Sequence, residues 1–301
     1  MFIKVLGSAA GGGFPQWNCN CPNCRDVRLG KPGLVARTQS SLMVSADGRR
    51  WVLLNASPDL RQQILATSEL APYGDNLRGS PIEAVVLTNG DVDHVTGLIC
   101  LREGHSFQLF GAGRVMQALA ANSIFDVLDS KKVARNTIVL GQPFQVGGLE
   151  IEAFAVPGKI ALYLENPDAG PGFGSSEGDT IGLAISDGRS RAFYIPGCAR
   201  IDAPLAKRLT GAQVLFFDGT LHQDDEMVRL GLSQKTGARM GHMSMAGPAG
   251  SMAACAELGI GKKIFIHINN SNPALRETSV EHAAVRMSGW DIAYDGMEVR
   301  L

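Results

Sequence analysis

The chain has 301 residues, 45% hydrophobic and 19% charged, enough apolar mass to bury a sizeable core without a partner. Its formal net charge is −1 with no basic block, which argues against a nucleic-acid or anionic-membrane surface, because phosphate binding needs clustered Lys and Arg. No apolar run approaches the roughly 20 residues that span a bilayer, and the opening seven-residue segment is too short for a signal peptide, so a soluble, cytoplasmic protein is expected.

Along the chain, strand patterns are expected at 2–6, 39–46 and 51–55, then a helix at 58–67 opened by Pro58 and Asp59. A strand at 82–88 carries the apolar run Val85, Val86, Leu87 and is followed by a helix at 94–103. Further strands are expected at 106–110, 136–140, 149–156, 180–186, 191–195, 212–217, 263–268 and 291–294. The remaining helices are expected at 113–121, 202–210, 246–258 and 278–287, with Asp202 as a start and Gly259 and Gly289 as stops. Neither clean βαβ repetition nor an all-β run fits, so the expected fold is a single mixed, layered α/β domain over 1–301. The Gly/Pro/Ser-dense connection 157–179 is long for a compact domain. Such loops are lids or surface insertions, and an active-site lid is expected here.

Six cysteines in a chain of this size do not read as a disulfide framework. Cys100, Cys198 and Cys255 are scattered among apolar or small residues and read as buried thiols. Cys19, Cys21 and Cys24 are different: Cys-x-Cys-x-x-Cys enclosing Pro22 suggests a zinc knuckle, because the tight turn directs the thiolates to one point. A fourth ligand must come from elsewhere, with Asn270 or His267 as candidates. The glycines between Gly7 and Gly13 do not form a dinucleotide loop, since Pro15 and the cysteines follow where a helix N-terminus would be needed.

Several apolar runs end in a residue of ligand type. Residues 85–87 lead to Asn89, Asp91, Asp93 and His94; 214–217 lead to Asp218; 264–266 lead to His267; 52–54 lead to Asn55 and Asp59. Strand ends that share a rim are where α/β folds build sites. One such ending is a turn or a cap; three with Asp or His exceed what capping explains.

Residues 89–94, Asn-Gly-Asp-Val-Asp-His, have the frame of the His-x-His-x-Asp-His signature of the metallo-β-lactamase superfamily, with Asn89 and Asp91 at the two leading histidine positions. Together with the opening 6–13, Asp218-Gly219-Thr220, Gly241-His242-Met243-Ser244 and His267, the chain resembles the branch that includes tRNA 3′-processing ribonuclease and the phosphodiesterase of phosphonate breakdown. Two longer strings, 13–24 and 267–273, resemble the coenzyme PQQ synthesis B family. The resemblance runs from end to end and implies an αββα sandwich, with mixed sheets face to face and helices outside. It implies that Asp93 and His94 match the second-metal pair, that His267 completes that site, and that Asp218 matches the aspartate that bridges two metals. The histidine that would finish the first site is absent, since Pro157-Gly158-Lys159 occupies its region. Three first-site positions therefore depart from the pattern, which speaks against dinuclear hydrolysis.

A two-histidine, one-carboxylate set is usual for non-haem Fe(II) oxygen chemistry. Fe2+ is therefore expected at the active site, with Zn2+ and Mn2+ as alternatives, and a structural Zn2+ at the cysteines. Asp91 is a fourth ligand, an orienter of His94 or a base; Asp218 is a ligand or a hydrogen-bond partner with a catalytic role; His242 is a candidate acid or base by analogy with the branch. His222 reads as a surface-loop histidine, and His105 and His282 as ordinary exposed or half-buried residues. Lys159 and Arg200 are candidates to meet substrate carboxylates. The resemblance implies PQQ biosynthesis by oxygen-dependent hydroxylation of the tyrosine ring in a Glu-Tyr-derived precursor. Expected partners are that small-molecule or short-peptide precursor, other PQQ biosynthesis proteins and a second copy in a homodimer. Two other readings are a soluble carrier of PQQ or its precursor and a metallo-hydrolase of phosphodiester or ester type.

Overall fold

A computed structural model describes residues 1–75, 77–169, 172 and 174–301. Gly170, Pro171 and Phe173, part of the connection expected at 157–179, lie outside the described residues. The strands in chain order are β1 (Phe2–Gly7), β2 (Ser41–Ser45), β3 (Trp51–Leu54), β4 (Ile82–Val86), β5 (Phe107–Ala112), β6 (Val133–Ile138) and β7 (Phe144–Val146). Then come β8 (Leu149–Ala155), β9 (Ile181–Ser186), β10 (Arg191–Ile195), β11 (Val214–Asp218), β12 (Lys262–Ile266), β13 (Trp290–Ile292) and β14 (Glu298–Arg300). They form two sheets, ordered β14-β1-β2-β3-β4-β5-β6 and β13-β12-β11-β10-β9-β8-β7. Both sheets are mixed, and both follow one plan. Pairing is antiparallel from β14 to β3 and from β7 to β10, and parallel from β3 to β6 and from β10 to β13.

The side-chain period of two explains why the second sheet is apolar on both faces. In β11, Val214 and Phe216 join the core shared with the first sheet, while Leu215 and Phe217 join a second core on the outer face. Ile264 and Ile266 of β12 face the shared core and Phe265 the outer one. Helices cover that outer face: α1 (Ala203–Leu209) contributes Leu205 and Leu209, and α2 (Val280–Met287) contributes Val285. Each fully buried side chain of this kind contributes about 1.5–3 kcal/mol. Asp202 caps α1 by accepting the Leu205 N–H at 3.0 Å, the start expected from the sequence. This is the α/β sandwich with helices outside that the sequence implies.

The differences are local. β7 and β14 are three residues each, too short for a periodic signal. β6 begins three residues before the expected 136–140. The helix expected at 246–258 shrinks to Ser251–Ala254, because Gly247 takes a left-handed φ of 90° and Pro248 follows. The helix expected from 94 is an α turn, Val92–Val95, continued as a 3₁₀ stretch, Thr96–Leu101. Pro22–Arg28 is helical inside the cysteine region, starting from Pro22 in the first turn. No helix among the described residues is long and apolar enough to cross a membrane.

What matters for function is where strands end. β4, β11 and β12 run parallel to their neighbours, and the residues just beyond them meet at one rim. Two rim residues, Asn55 after β3 and His267 after β12, take left-handed backbone with φ of 65° and 58°. The chain turns sharply there, which aims side chains across the rim instead of along the sheet.

Candidate metal centre

β4 ends at Val86, and two residues further on the Thr88 N–H donates to Asn55 Oδ1 at 2.8 Å, fixing the start of the motif. The His94 N–H donates to the Asp91 carbonyl at 2.9 Å, which winds residues 91–95 into a helical turn. His94 Nδ1 then lies 2.6 Å from Asn89 Oδ1. An amide oxygen only accepts, so Nδ1 carries the proton and Nε2 is bare. That Nε2 is buried with no hydrogen-bond partner among the described residues, 3.9 Å from Asp93 Oδ2. Burial lowers His94 to about 4, so its ring is neutral.

His267 is fixed by a second relay. The Thr220 hydroxyl lies 2.7 Å from Asp218 Oδ1 and 2.8 Å from His267 Nδ1. Donating to the carboxylate, it accepts the Nδ1 proton, which leaves His267 Nε2 bare as well. Nε2 faces Asp93 Oδ2 at 3.1 Å. Two acceptors at that distance repel unless a proton or a cation lies with them. Ligand atoms of Asp93, His94 and His267 all lie within 4.8 Å of one another. Burial opposes ionisation of Asp93, but the attraction of His94 and His267 in their protonated forms holds its carboxyl well below the usual range, so it is the anionic member of the set. The unpartnered His94 Nε2, the Asp93 carboxylate and the His267 Nε2 beside it converge on one point, a donor set that fits a divalent ion.

A second convergent group is Asp218, His242 and His267. Its atoms are already satisfied. Asp218 accepts the Cys198 N–H at 2.9 Å and the Thr220 N–H at 3.0 Å, and His242 Nδ1 lies 2.7 Å from Asp218 Oδ2. Burial works against charge on both, yet their mutual attraction lowers Asp218 and raises His242. The His242 ring stacks on His267 at 5.3 Å between centroids. Asp91 belongs to neither group; it accepts from Asn89 Nδ2 at 2.8 Å. Burial and the neighbouring Asp93 push Asp91 up to about 6.

These residues open on a cavity of about 380 Å³, walled by Gln16, Lys159, Leu162, Met227, Lys235 and Met240. Lys159 and Leu162, from the described part of the 157–179 connection, stand on its wall. Tyr163 OH donates to the Gly90 carbonyl at 2.9 Å, and Glu165 pairs with Lys159 at 2.6 Å and with both Arg239 nitrogens at 3.2 and 3.0 Å. Lys159 is thus at the site as expected, whereas Arg200 lines a different cavity beside Ser176 and Arg208. His222 is buried, not on a surface loop, and lines another cavity with Glu226. His105 stacks on Phe107, and His282 Nδ1 bonds the Ala274 carbonyl. Asp59 accepts from Gln39 and is structural. Sequence reasoning passed over Thr220, Glu165 and Lys235. For Thr220 the signal was its place in the Asp218-Gly219-Thr220 string; Lys235 carries no motif.

Cys19, Cys21 and Cys24 converge, and Asn270 Nδ2 lies 3.1 Å from Cys19 Sγ and 3.2 Å from Cys24 Sγ. Burial pushes the Cys21 thiol up to about 12. Three thiols so placed ionise together only around a cation, so the cluster fits zinc. Of the two candidates for a fourth position, Asn270 is at the cluster and His267 faces the other site.

A family model described as a β-lactamase superfamily domain matches residues 50–268. The chain is 53% identical over 301 residues to coenzyme PQQ synthesis protein B of Xanthomonas campestris pv. campestris strain B100, covering 100% of both. It is 51% identical over 298 residues to the protein of the same description from Methylobacterium nodulans, covering 99% of each. The 1.98-Å crystal structure of Zn2+-bound PqqB from Methylobacterium extorquens matches with a TM-score of 0.96 at 48% identity, covering 100% of both chains. A diphosphatase of the PhnP family matches with a TM-score of 0.71 at 20% identity, covering 99% of this chain and 96% of that one, a likeness of fold alone. The chain belongs to the coenzyme PQQ synthesis protein B family of the β-lactamase superfamily.

Proposed function

We propose that this chain acts in PQQ biosynthesis as a metal-dependent, oxygen-using hydroxylase of the tyrosine ring in a Glu-Tyr-derived precursor. The observation that carries this reading is the convergent Asp93, His94 and His267 set, with Asn89 bonded to His94 where the superfamily signature has a histidine. Asp93, His94 and His267 would hold the ion, and a ferrous ion in such a set supplies activated oxygen chemistry when bound. Zn2+, bound by the Methylobacterium extorquens relative, and Mn2+ suit the same donors. Hydroxylation replaces an aromatic C–H by C–OH with one atom of O2. The other atom leaves as water, which takes two electrons and two protons from an external reductant.

The protein's own groups supply the proton handling. Asp91, raised to about 6, exchanges a proton near neutral pH. His242, raised by Asp218, keeps its proton on Nδ1 toward that carboxylate and presents its ring edge to the cavity. Leu162, Met227 and Met240 give the cavity an apolar wall suited to a phenol ring. No nucleophilic water needs to be held by Asn89, which is consistent with its role as a clasp on His94.

The test is oxygen consumption by anaerobically Fe(II)-loaded protein given the precursor, beside His94→Ala and His267→Ala. Substrate-dependent uptake with gain of an oxygen atom, absent in both variants, is expected. Absence of uptake with precursor or PQQ still bound would overturn the reading in favour of a carrier. Phosphodiester hydrolysis lost on His94→Ala would overturn it in favour of a hydrolase.

A further inference from the structure

The charges on the cavity wall are not balanced locally. Asp91 and Asp93 stand together at the metal-type end. Lys159 is matched by Glu165, which Arg239 also holds. Lys235 lines the same cavity, half-buried, and has no anionic partner among the described residues. An ammonium in a concave, partly apolar wall has lost part of its hydration, and an anion entering the cavity restores the lost interaction.

The residue is also well placed to keep its position. Its own N–H donates to Ser233 Oγ at 2.9 Å. The next residue, Thr236, caps the short helix Gly237–Met240 by accepting the Arg239 N–H at 3.3 Å. The Ala238 N–H donates to Asp224 Oδ1 at 2.7 Å, tying this turn to the loop after β11. So the stem of Lys235 leaves from an anchored turn. Beside it on the wall, Met227, Met240 and Leu162 offer thioether and apolar contact to an aromatic face.

We infer that Lys235 is the specificity-determining cation of this cavity and pairs with a carboxylate of an aromatic amino-acid-type substrate, an assignment that rests on the proposed hydroxylase reading for the identity of the ring beside it. A neutral phenol would fill the apolar wall and leave the ammonium unpaired. An aromatic amino acid or its cross-linked derivative satisfies both.

The experiment is calorimetric binding to the metal-loaded protein of two probes, the Glu-Tyr cross-linked precursor and the same molecule with its carboxylates esterified. The wild type is compared with Lys235→Gln and Lys235→Arg. Wild type is expected to bind the acid more tightly than the ester. Lys235→Gln should weaken acid binding by about ten-fold and leave the ester unchanged, and Lys235→Arg should restore most of the loss. Equal weakening of acid and ester, no weakening of the acid, or a wild type that does not prefer the acid would each overturn the inference. Because the readout is binding, the two proposals fail separately. Intact coupling without oxygen uptake removes the hydroxylase reading, and oxygen uptake without coupling removes only the role of Lys235.

Discussion

Asn89 Oδ1 stands 2.6 Å from His94 Nδ1, and the Asn89 amide nitrogen reaches Asp91 Oδ2 at 2.8 Å, so one side chain fixes the tautomer of one neighbour and the position of another. Groups that orient a metal histidine through its second nitrogen typically change metal affinity by about 10–100-fold. Asn89→Leu should lower active-site metal affinity by that order while the metal at the cysteines stays bound. Asn89→Asp, which keeps an acceptor, should lose less. A titration against a competing chelator measures both, and equal affinities for wild type and Asn89→Leu would refute the clasp.

Thr220 serves three partners at once: Asp218, His242 and His267. Thr220→Val keeps the shape and removes the hydroxyl, leaving buried polar groups unpaired. The expected cost is about 1–3 kcal/mol in urea unfolding, together with weaker active-site metal binding. Thr220→Ser should recover both. A Val variant as stable as wild type would show that the relay carries no energy.

Glu165 gives a pH signature. Hydrogen bonds from Arg239 and then Lys159 outweigh burial and lower its carboxyl from 4.5 to about 2. A depressed carboxylate contributes stability that is fully present above its unfolded value and lost as pH falls through the folded one. The stability difference between wild type and Glu165→Gln should therefore be constant above about 4.5 and shrink toward about 2. If the 157–179 connection is the lid that the sequence suggests, Glu165→Gln should also speed its proteolysis at neutral pH. A stability difference that does not vary with pH would remove the ion pairs as its cause.

The cysteine cluster makes a separate prediction. Cys21→Ser should release one equivalent of zinc and lower Tm by roughly 10 °C, because three converging thiols lose their shared cation. Asn270→Ala should weaken that zinc without releasing the active-site metal. Unchanged zinc content in Cys21→Ser would show that the cluster is a set of free thiols.

The strands were legible because β4, β10, β11 and β12 are short apolar runs with abrupt ends, and the ends are where the ligand-type residues stand. Asp93, His94 and His267 could be nominated for the same reason, since a polar residue terminating a buried strand is conspicuous. Lys235 could not, and Thr220 only as a member of the Asp218-Gly219-Thr220 string, with no role attached. Thr220 acquires its meaning only when the ends of β11 and β12 lie side by side, a consequence of parallel pairing over Val214–Asp218. Lys235 looks like any solvated lysine until its turn is folded against the cavity. Arg200 shows the opposite error: named as a candidate to meet a substrate carboxylate, it is carried to a different cavity by the course of the chain after β10.

The left-handed backbone of His267, φ 58°, has a consequence for how this protein can be improved. An L-residue with a β-carbon is held there at a cost on the order of 1–3 kcal/mol, and glycine or asparagine would hold that conformation more easily. Selection for folding alone would therefore drift away from histidine at 267. A screen that scores only thermal resistance would reward the substitutions that empty the site of its ligand, so stabilised variants of this chain have to be chosen with metal retention as a second criterion.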